Sequence, residues 1–274
     1  MRNFPVSPIF LPANRIDWFE KAKASSADGI IFDLEDSIPE NDKDDARKKL
    51  INFLLEISDS NFPIFIRFNS PDTEEGKEDY ACYCKNNFQF PIIVPKVEGA
   101  KSLEIFGESI KLIALIETPL AVRNIAEIAS DMRLLGLALG PADLSFALGS
   151  DMSWDSLLFS RSKIVLESSI NGIYSIDGPF MDISSEEDLI SECIKSKNLG
   201  FNAKMAIHPS QVSTIRKIFL PTKEEIIEAK SILETFKKAQ KGVIKKDGKM
   251  IDKPIIESMK KKLILAGEDI KEYL

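Results

Sequence analysis

Short apolar runs alternate with amphipathic segments along most of the chain. The apolar runs predict eight strands, at Ser7–Leu11, Gly29–Leu34, Ile64–Asn69, Ile92–Pro95, Leu112–Ile116, Leu134–Leu139, Ile173–Ile176 and Lys204–Ile207. The segments between them predict helices at Asp17–Ala24, Lys43–Ile57, Glu74–Asn86, Ala100–Glu108, Leu120–Ala129, Trp154–Ser169 and Ser184–Lys197. Strands that are apolar along their whole length are buried on both faces, which is typical of a parallel sheet. Repeated strand–helix alternation in 274 residues predicts an α/β fold that closes into a TIM (β/α)8 barrel, for which about 250 residues are typical.

A C-terminal helical extension is predicted to follow the barrel. Pro221 precedes a long helix that runs to about Gln240, and a second amphipathic stretch covers Ile255–Ile270. Between them, Asp247–Gly248 predicts a tight turn. We therefore expect a barrel domain over residues 1–220 and an extension over residues 221–274 that packs on the barrel or on a neighbouring subunit.

Residue types that favour helix starts follow several of the predicted strands. Asp17 is a candidate cap for the first helix, and Ser184 with Glu187 matches a capping box. Pro119 suits the first turn of a helix, where a missing backbone N–H leaves no hydrogen bond unmade. This places Glu117 at a strand-to-helix turn.

Charged residues stand at or just after the ends of the predicted strands. They are Asp33, Glu35, Asp36, Arg67, Lys96, Glu117, Asp143, Asp177 and His208. In a parallel barrel the carboxyl ends of all strands meet on one face, and active sites are built there. The pattern therefore predicts an enzyme site that is lined by carboxylates and a few cations.

Glu117 and Asp143 are the candidate metal ligands. They follow adjacent predicted strands, and Mg²⁺ binds protein sites through one or two carboxylates while it keeps several waters. Gly140, Pro141 and Ala142 precede Asp143 in an open loop whose backbone N–H groups could face a substrate anion. The alternative is that both acids only cap helices.

Arg67 is the candidate substrate-binding cation. Its planar guanidinium can bind a carboxylate through two parallel hydrogen bonds. The alternative is a buried ion pair with Asp33, Glu35 or Asp36 of the neighbouring strand. Both interpretations can hold together, because carboxylates on one side can orient an arginine that binds substrate on the other.

Lys96 and His208 are weaker candidates. Lys96 is followed by Glu98, so an ion pair at the rim of the barrel is an equally good interpretation. His208 is the single histidine of the chain, and a structural role is favoured for it. No nucleophile elbow, Rossmann fingerprint or P-loop motif is present in the sequence.

Composition and charge narrow the range of partners. The net charge of −7 argues against nucleic acid and anionic membranes, which require clustered Lys and Arg. No run approaches the roughly 18 apolar residues of a membrane span. Three cysteines without metal-like spacing favour a reduced chain rather than a disulfide framework. A cytoplasmic location is expected.

Nine segments form an ordered set of motifs from about Phe10 to Pro254. They are LPANRIDWFEKA, DGIIFDLEDSIPENDKDDAR, IFIRFN, VPKVE, LIALIETPLAVRNIAEIA, LGLALGPADLS, IDGPFMD, AKMAIHPSQV and DGKMIDKP. Together they resemble the CitE-like branch of the HpcH/HpaI aldolase superfamily. That branch includes the citrate lyase beta subunit and the malyl-CoA and citramalyl-CoA lyases.

The resemblance implies a TIM barrel that binds Mg²⁺ and cleaves or forms a carbon–carbon bond beside a carboxylate. The substrate is then an oxo or hydroxy acid, usually carried as a CoA or acyl-carrier thioester. Glu117 in LIETP and Asp143 in GPADL match the family's metal ligands. Arg67 in IRFN matches the arginine that holds the carboxylate of the acid.

Further residues acquire roles only through this resemblance. Glu35 and Asp36 in LEDS match the acidic pair beside the arginine. Asp252 in GKMID resembles a catalytic aspartate that reaches the active site of a neighbouring subunit, which implies a homotrimer.

The leading interpretation is a Mg²⁺-dependent carbon–carbon lyase that acts on an acyl thioester. A second is an aldolase or a thioesterase that acts on a related small oxo or hydroxy acid. A third is a non-catalytic paralogue that keeps the barrel. The presence of Arg67, Glu117 and Asp143 together argues against the third.

Overall fold

The computed structural model describes residues 4–57, 61–239, 243–246 and 249–273. The chain divides into two compact units. One unit runs from Pro5 to Ile215, and the other contains the chain from Arg216 onwards together with Phe4. The division falls inside the helix Pro209–Phe219.

The first unit is built on eight parallel strands that pair in chain order. They are β1 (Pro8–Pro12), β2 (Gly29–Asp33), β3 (Ile64–Arg67), β4 (Ile92–Val94), β5 (Leu112–Ile116), β6 (Leu134–Leu139), β7 (Tyr174–Asp177) and β8 (Ala203–Lys204). The sheet closes on itself where Ala206, just after β8, bridges Ile9 of β1. Phe10 N donates to Ala206 O at 2.8 Å, and Ala206 N donates to Pro8 O at 2.9 Å. The predicted α/β barrel is confirmed.

Helices alternate with these strands. They are α1 (Phe19–Ala24), α2 (Lys43–Glu56), α3 (Glu74–Lys85), α4 (Pro119–Ala129), α5 (Pro141–Leu148), α6 (Trp154–Asn171), α7 (Glu186–Leu199) and α8 (Pro209–Phe219), with short 3-10 turns at Ile16–Trp18, Glu40–Asp42 and Ala100–Leu103. The helix predicted over Ala100–Glu108 is wrong beyond its first turn. Gly99 precedes this segment and Gly107 lies within it, and only Leu103 and Phe106 of the segment are buried, so no broad apolar face sustains a longer helix.

Of the three predictions about helix starts, the structure confirms the one for Pro119 and contradicts those for Ser184 and Asp17. Pro119 lies in the first turn of α4, as predicted, and the Thr118 side chain caps that helix by accepting from Ala121 N. The cap of α7 is Ser185, not Ser184, because the Ser184 hydroxyl donates to Asp182. Asp17 does not cap a helix, because its carboxylate pairs with Arg15 at 3.0 Å.

A largely buried polar cluster lies where β7 and β8 end. Lys204 Nζ donates to Asp177 Oδ2 at 2.8 Å and to Glu192 Oε1 at 2.7 Å. Arg161 Nε donates to the other oxygen of Asp177 at 3.1 Å. Burial alone would raise the pKa of Asp177, but the charges of Lys204 and Arg161 hold it below its usual value. Asp177 is therefore a structural anion that stabilises the junction of β7, β8 and their helices.

The second unit is a small helical assembly with a two-stranded ribbon. It contains α9 (Lys223–Ala239), the antiparallel strands β9 (Ile244–Lys246) and β10 (Lys249–Ile251), and α10 (Lys253–Leu265), followed by a 3-10 turn at Lys271–Tyr273. Its apolar core includes Ala229, Leu233, Ile251, Ile256 and Leu263. The turn predicted at Asp247–Gly248, like the helix end at Gln240, lies outside the described residues. Across the part of the chain that the structure describes, no helix has the length and apolarity that crossing a membrane requires.

Candidate active site

A cavity of about 360 Å³ opens at the carboxyl ends of the barrel strands. Its lining combines one arginine, four acidic side chains and many apolar ones. The residues are Phe10, Pro12, Asp33, Asp36, Ser37, Arg67, Leu115, Glu117, Leu139, Gly140, Pro141, Ala142, Asp143, Pro179, Met181, Met205 and Ile207. The structure thus brings Arg67, Asp36, Glu117 and Gly140–Asp143 of the predicted site around one space.

Arg67 is held by a bidentate ion pair with Asp33. The two residues are register partners on the adjacent strands β3 and β2, which places their side chains together. Arg67 Nε and Nη2 each donate to one Asp33 oxygen at 2.7 Å. Burial alone would raise the pKa of Asp33, but Arg67 holds it below its usual range. Burial lowers the pKa of Arg67, but the charge and hydrogen bonds of Asp33, together with the charges of Glu35 and Asp36, raise it above its usual value, so the pair stays ionised.

Glu35 and Asp36 approach the remaining nitrogen of the same guanidinium. Arg67 Nη1 lies 3.1 Å from Glu35 Oε2 and 3.2 Å from Asp36 Oδ2. Glu35 is buried and Asp36 is exposed. Neither carboxylate oxygen of Glu35 is in a hydrogen bond. Burial, partly offset by Arg67, raises the pKa of Glu35 to about 7. Arg67 thus forms ion pairs with all three of the acids that the sequence offers as its partners, Asp33, Glu35 and Asp36.

Glu117 and Asp143 follow the adjacent strands β5 and β6. Glu117 is buried, and its Oε1 accepts the backbone N–H of Lys96 at 2.7 Å. Burial, followed by the nearby charges of Glu35 and Asp143, raises the pKa of Glu117 to about 8. Asp143 is half-buried in the first turn of α5 and, within the described residues, has no hydrogen bond or ion pair.

Gly140 is required by the position of the Glu117 carboxylate. A Cβ at residue 140 would lie 2.5 Å from both Cβ and Oε2 of Glu117, far inside van der Waals contact. The absence of a side chain therefore leaves room for the carboxylate against the backbone of the β6–α5 turn.

Lys96 adopts a backbone conformation that is rare for a residue with a side chain. Its φ of 53° lies in the left-handed region, where a Cβ is strained. This conformation directs its backbone N–H at Glu117. Its half-exposed side chain reaches Glu35 Oε1 at 3.4 Å, so the partner of Lys96 is Glu35, not the Glu98 that the sequence suggested.

The donor set fits a hard divalent cation. Glu117 and Asp143 offer oxygen ligands from adjacent strand ends, and Glu117 Oε2 faces the turn at Gly140. Two acidic side chains, Glu35 and Asp143, lie close enough to raise the pKa of Glu117, and a bound cation would offset the repulsion among the three. Across the described ranges, no cluster of three or more His, Cys, Asp or Glu side chains is arranged to hold a metal. Two carboxylates and water are the usual Mg²⁺ complement.

Two further candidates, His208 and Asp252, contact residues that are close to them in the sequence. His208 is exposed, and its Nδ1 lies 2.8 Å from the Ser210 hydroxyl. Asp252 caps α10 by accepting from Ile255 N. Its predicted catalytic role stays a prediction.

The sequence does not predict that Asp33 is the main partner of Arg67, nor that a helix follows Gly140. Asp33 is predicted among the strand-end acids of the site and as one of three possible partners of Arg67, and in the structure it makes the shortest contacts with that arginine. The strand register supplied the signal, because charges that end neighbouring parallel strands stand side by side. The segment Gly140–Asp143 was expected to be an open loop, but it begins α5, with Pro141 in the first turn. Proline favours that position.

Comparison with known proteins reveals relatives across nearly the whole chain. The sequence profile of the HpcH/HpaI aldolase/citrate lyase family matches residues 7–209. A (3S)-malyl-CoA thioesterase of Cereibacter sphaeroides is 32% identical over 255 residues, which cover 90% of this chain and 89% of that protein. The citrate lyase subunit beta of Haemophilus influenzae is 30% identical over 286 residues, which cover 97% and 98% of the two chains.

A solved structure shares the fold. It is the crystal structure of protein CitE from Mycobacterium tuberculosis in complex with magnesium, acetoacetate and coenzyme A. The TM-score is 0.83, with 29% identity, and the alignment covers 98% of this chain and 100% of that chain.

Gly140→Ala is expected to weaken Mg²⁺ binding, because its methyl group displaces the Glu117 carboxylate. Calorimetric titration with Mg²⁺ should show an affinity at least about tenfold lower than in the wild type, since hard cations depend on ligand placement. Glu117→Gln, which removes a ligand charge at nearly constant shape, should abolish the binding signal.

Gly107→Ala is the matched control. A Cβ there meets no atom nearer than 3.6 Å, so this variant should bind Mg²⁺ as the wild type does. Equal Mg²⁺ affinity in the wild type, Gly140→Ala and Glu117→Gln would disprove the assignment of Glu117 as a ligand.

Proposed function

The chain belongs to the HpcH/HpaI aldolase/citrate lyase family, as its motifs predicted, and on this basis we propose that it is a Mg²⁺-dependent carbon–carbon lyase. Its proposed substrate is a CoA or acyl-carrier thioester of a small hydroxy acid. The observation that carries the proposal is the cavity that combines Arg67 with the carboxylates of Glu117 and Asp143. The CitE structure contains magnesium, acetoacetate and coenzyme A, which supports this class of ligands.

Glu117 and Asp143 are the proposed Mg²⁺ ligands. When bound, Mg²⁺ supplies a Lewis acid beside the oxygen atoms of the substrate. The Lys96 N–H fixes one oxygen of Glu117, and this contact preorganises the carboxylate before any ligand arrives. Gly140 leaves the space that this arrangement requires.

Arg67 is the proposed binding group for the carboxylate of the oxo or hydroxy acid. Its guanidinium lines the cavity, and Asp33 fixes the plane of the fork through two hydrogen bonds of 2.7 Å. A fork held in this way loses little further entropy when it binds a second anion. Glu35 and Asp36 complete its support on the Nη1 side.

The turn before α5 is the proposed second contact for substrate. Gly140, Pro141 and Ala142 all line the cavity. The first N–H groups of a helix have no partner within it, so the N–H of Ala142 is available to an anionic oxygen. Pro141 has no N–H and contributes only its ring.

The apolar part of the lining excludes water from the reacting bond. Leu115, Leu139 and Met205 are buried residues of this part. In a dry cavity the charge of Arg67 acts more strongly on negative charge that develops during bond cleavage.

Thioester hydrolysis is the second candidate reaction. The observation that favours it is the (3S)-malyl-CoA thioesterase, which is 32% identical to this chain. A lyase breaks the carbon–carbon bond and leaves the thioester intact, whereas a thioesterase releases a free thiol.

Product analysis with malyl-CoA, citramalyl-CoA and citryl-CoA in the presence of Mg²⁺ distinguishes the two reactions. We expect an oxo acid and an acyl-CoA in equal amounts, measured by chromatography, with free thiol no higher than in a Glu117→Gln control. Free thiol without oxo acid would replace the lyase proposal by thioester hydrolysis. Absence of any product would favour a non-catalytic paralogue.

Arg67→Lys keeps the positive charge but loses the fork, so the affinity for pyruvate, glyoxylate or oxaloacetate should fall by about tenfold or more. Calorimetry with each acid at saturating Mg²⁺ measures the change. Arg133→Lys is the matched control, since Arg133 also forms a bidentate pair, with Asp131, outside the cavity lining. If Arg67→Lys bound these acids as well as Arg133→Lys does, Arg67 would be only a partner of the neighbouring acids.

Asp252 is proposed to serve as acid or base in the active site of a neighbouring subunit of a homotrimer. The family resemblance of the segment DGKMIDKP supports this role. A residue shared in this way requires a heterologous interface, and such an interface forms a trimeric ring when the rotation between subunits closes after three copies.

Mixing two inactive variants tests the shared site. Trimers reassembled from Asp252→Ala and Glu117→Ala chains should regain part of the activity, because some barrels combine their own Glu117 with the Asp252 of a neighbour. A mixture of Glu117→Ala and Arg67→Ala is the control and should stay inactive, since both residues belong to the same barrel. The proposal fails if Asp252→Ala alone is fully active, or if verified mixed trimers recover nothing.

A further inference from the structure

Lys43 is a buried cation whose closest partners are neutral. It is the first residue of α2 and is 9% exposed. Its Nζ donates to the carbonyl oxygens of Leu34 at 3.3 Å and Glu35 at 3.2 Å, and to the side-chain oxygen of Asn69. Its carboxylate partner, the exposed Glu40, is 4.0 Å away. Burying an ammonium without a close counter-charge is costly, so its position calls for a functional explanation.

The three oxygens that Lys43 binds belong to the two segments that carry the arginine and its acids. Leu34 and Glu35 follow β2, and Asn69 follows β3 just after Arg67. An ammonium has three N–H donors, and all three are used to tie these segments together. Lys43 therefore links the backbone carbonyls of Leu34 and Glu35 to the side chain of Asn69, two residues beyond Arg67.

Asn69 is itself fixed from the opposite side. Its backbone N and its Nδ2 both donate to Asp79 Oδ2, at 2.9 and 2.8 Å. The other oxygen of Asp79 accepts from Arg47 Nε at 2.7 Å. These contacts orient the Asn69 amide so that its oxygen faces Lys43. Arg47, Asp79, Asn69 and Lys43 form one continuous buried network.

The side chain of Glu35 has no comparable support. Neither of its oxygens takes part in a hydrogen bond, and it is held only by ion pairs with Arg67 and the half-exposed Lys96. Its location against Arg67 therefore depends on the backbone to which it is attached. Lys43 holds that backbone at the Glu35 carbonyl itself.

We propose that Lys43 is a positioning residue that sets Glu35 against Arg67 and thereby shapes the binding site for the substrate carboxylate. The effect on substrate rests on the proposed function, whereas the effect on Glu35 does not. Lys43 touches neither the cavity nor the proposed metal ligands. Its loss should disturb the arginine side of the site and spare the metal side.

Crystal structures of Lys43→Met and Arg47→Met test the positional claim without any ligand. Arg47 belongs to the same network and the same helix, but its hydrogen bonds and ion pairs go to Asp44, Glu75 and Asp79 and not to residues 34 or 35. In Lys43→Met the distance from Glu35 Oε2 to Arg67 Nη1, 3.1 Å in the wild type, should exceed the roughly 4 Å limit of an ion pair. In Arg47→Met it should be unchanged. An intact pair in Lys43→Met overturns the proposal, whatever the protein binds.

Binding and kinetics test the consequence for substrate. Thermal unfolding should show that both variants are destabilised, since both break a buried polar network. In Lys43→Met alone, oxo-acid affinity should fall by about tenfold and KM should rise more than kcat falls, while Mg²⁺ affinity stays within about twofold of the wild type. Lys43→Arg, which keeps the charge, should recover part of the loss. Oxo-acid affinities that fall equally in Lys43→Met and Arg47→Met would reduce Lys43 to a stabilising residue.

If Lys43→Met does not fold, Lys43→Gln replaces it in every measurement, because its amide can still donate to two of the three oxygens. It should show an intermediate loss of oxo-acid affinity and a smaller displacement of Glu35. A wild-type position of Glu35 in this variant overturns the proposal. A wild-type protein that binds no oxo acid would refute the proposed function, and the displacement of Glu35 in the variants would then decide the role of Lys43.

Discussion

The ion pair between Asp33 and Arg67 is the interaction on which the rest of the candidate site depends. Its two hydrogen bonds of 2.7 Å join neighbouring strands at the carboxyl end of the barrel. A buried guanidinium is stable only when its charge and its N–H groups are matched, and Asp33 supplies most of that match. Glu35 and Asp36 then lie against Nη1 of Arg67. Together the three acids fix the plane and the direction of the guanidinium at the wall of the cavity.

Glu35, one of the carboxylates that stabilise Arg67, also repels the buried carboxylate of Glu117 on the other side of the cavity. Glu117 is buried near Glu35 and Asp143, and its pKa is raised to about 8. The chain accommodates this crowding with a strained backbone at Lys96 and with a glycine at position 140. Strain of this kind persists only where the surrounding structure fixes it, and it clusters at functional sites. The site is preorganised at the expense of stability.

A charge at a strand end does not by itself indicate function. Asp177 ends β7 just as Asp33 ends β2, yet Asp177 is buried with Lys204 and Arg161 and does not line the cavity. The difference lies in the partners. The charge of Asp177 is neutralised by two buried cations, Lys204 and Arg161. Asp33 instead pairs with one arginine, Arg67, which lines the cavity.

The family of the chain and the alternation of its elements could be predicted from the sequence. The bounds of β5 and β6 agree with the sequence prediction, because an apolar run that is buried on both faces has sharp ends in the sequence. The positions of Arg67 and Glu117 at strand ends follow from the same periodicity, whereas Asp143 lies in the first turn of α5. The helices α5 and α8 were not predicted. The helix α5 is short and has a weak amphipathic pattern, whereas α8 has a clear amphipathic pattern that the prediction missed.

Only the tertiary structure decided which charges meet. Lys96 pairs with Glu35 and not with Glu98, and Lys43 binds oxygens on two separate turns. Such choices depend on side-chain direction and backbone conformation after the barrel closes, and residues distant in sequence supply the partners. A sequence determines where charges stand along each strand, because local periodicity sets the faces and ends of the elements. Their partners and their degree of burial emerge only from packing, since desolvation and distance are properties of the closed barrel.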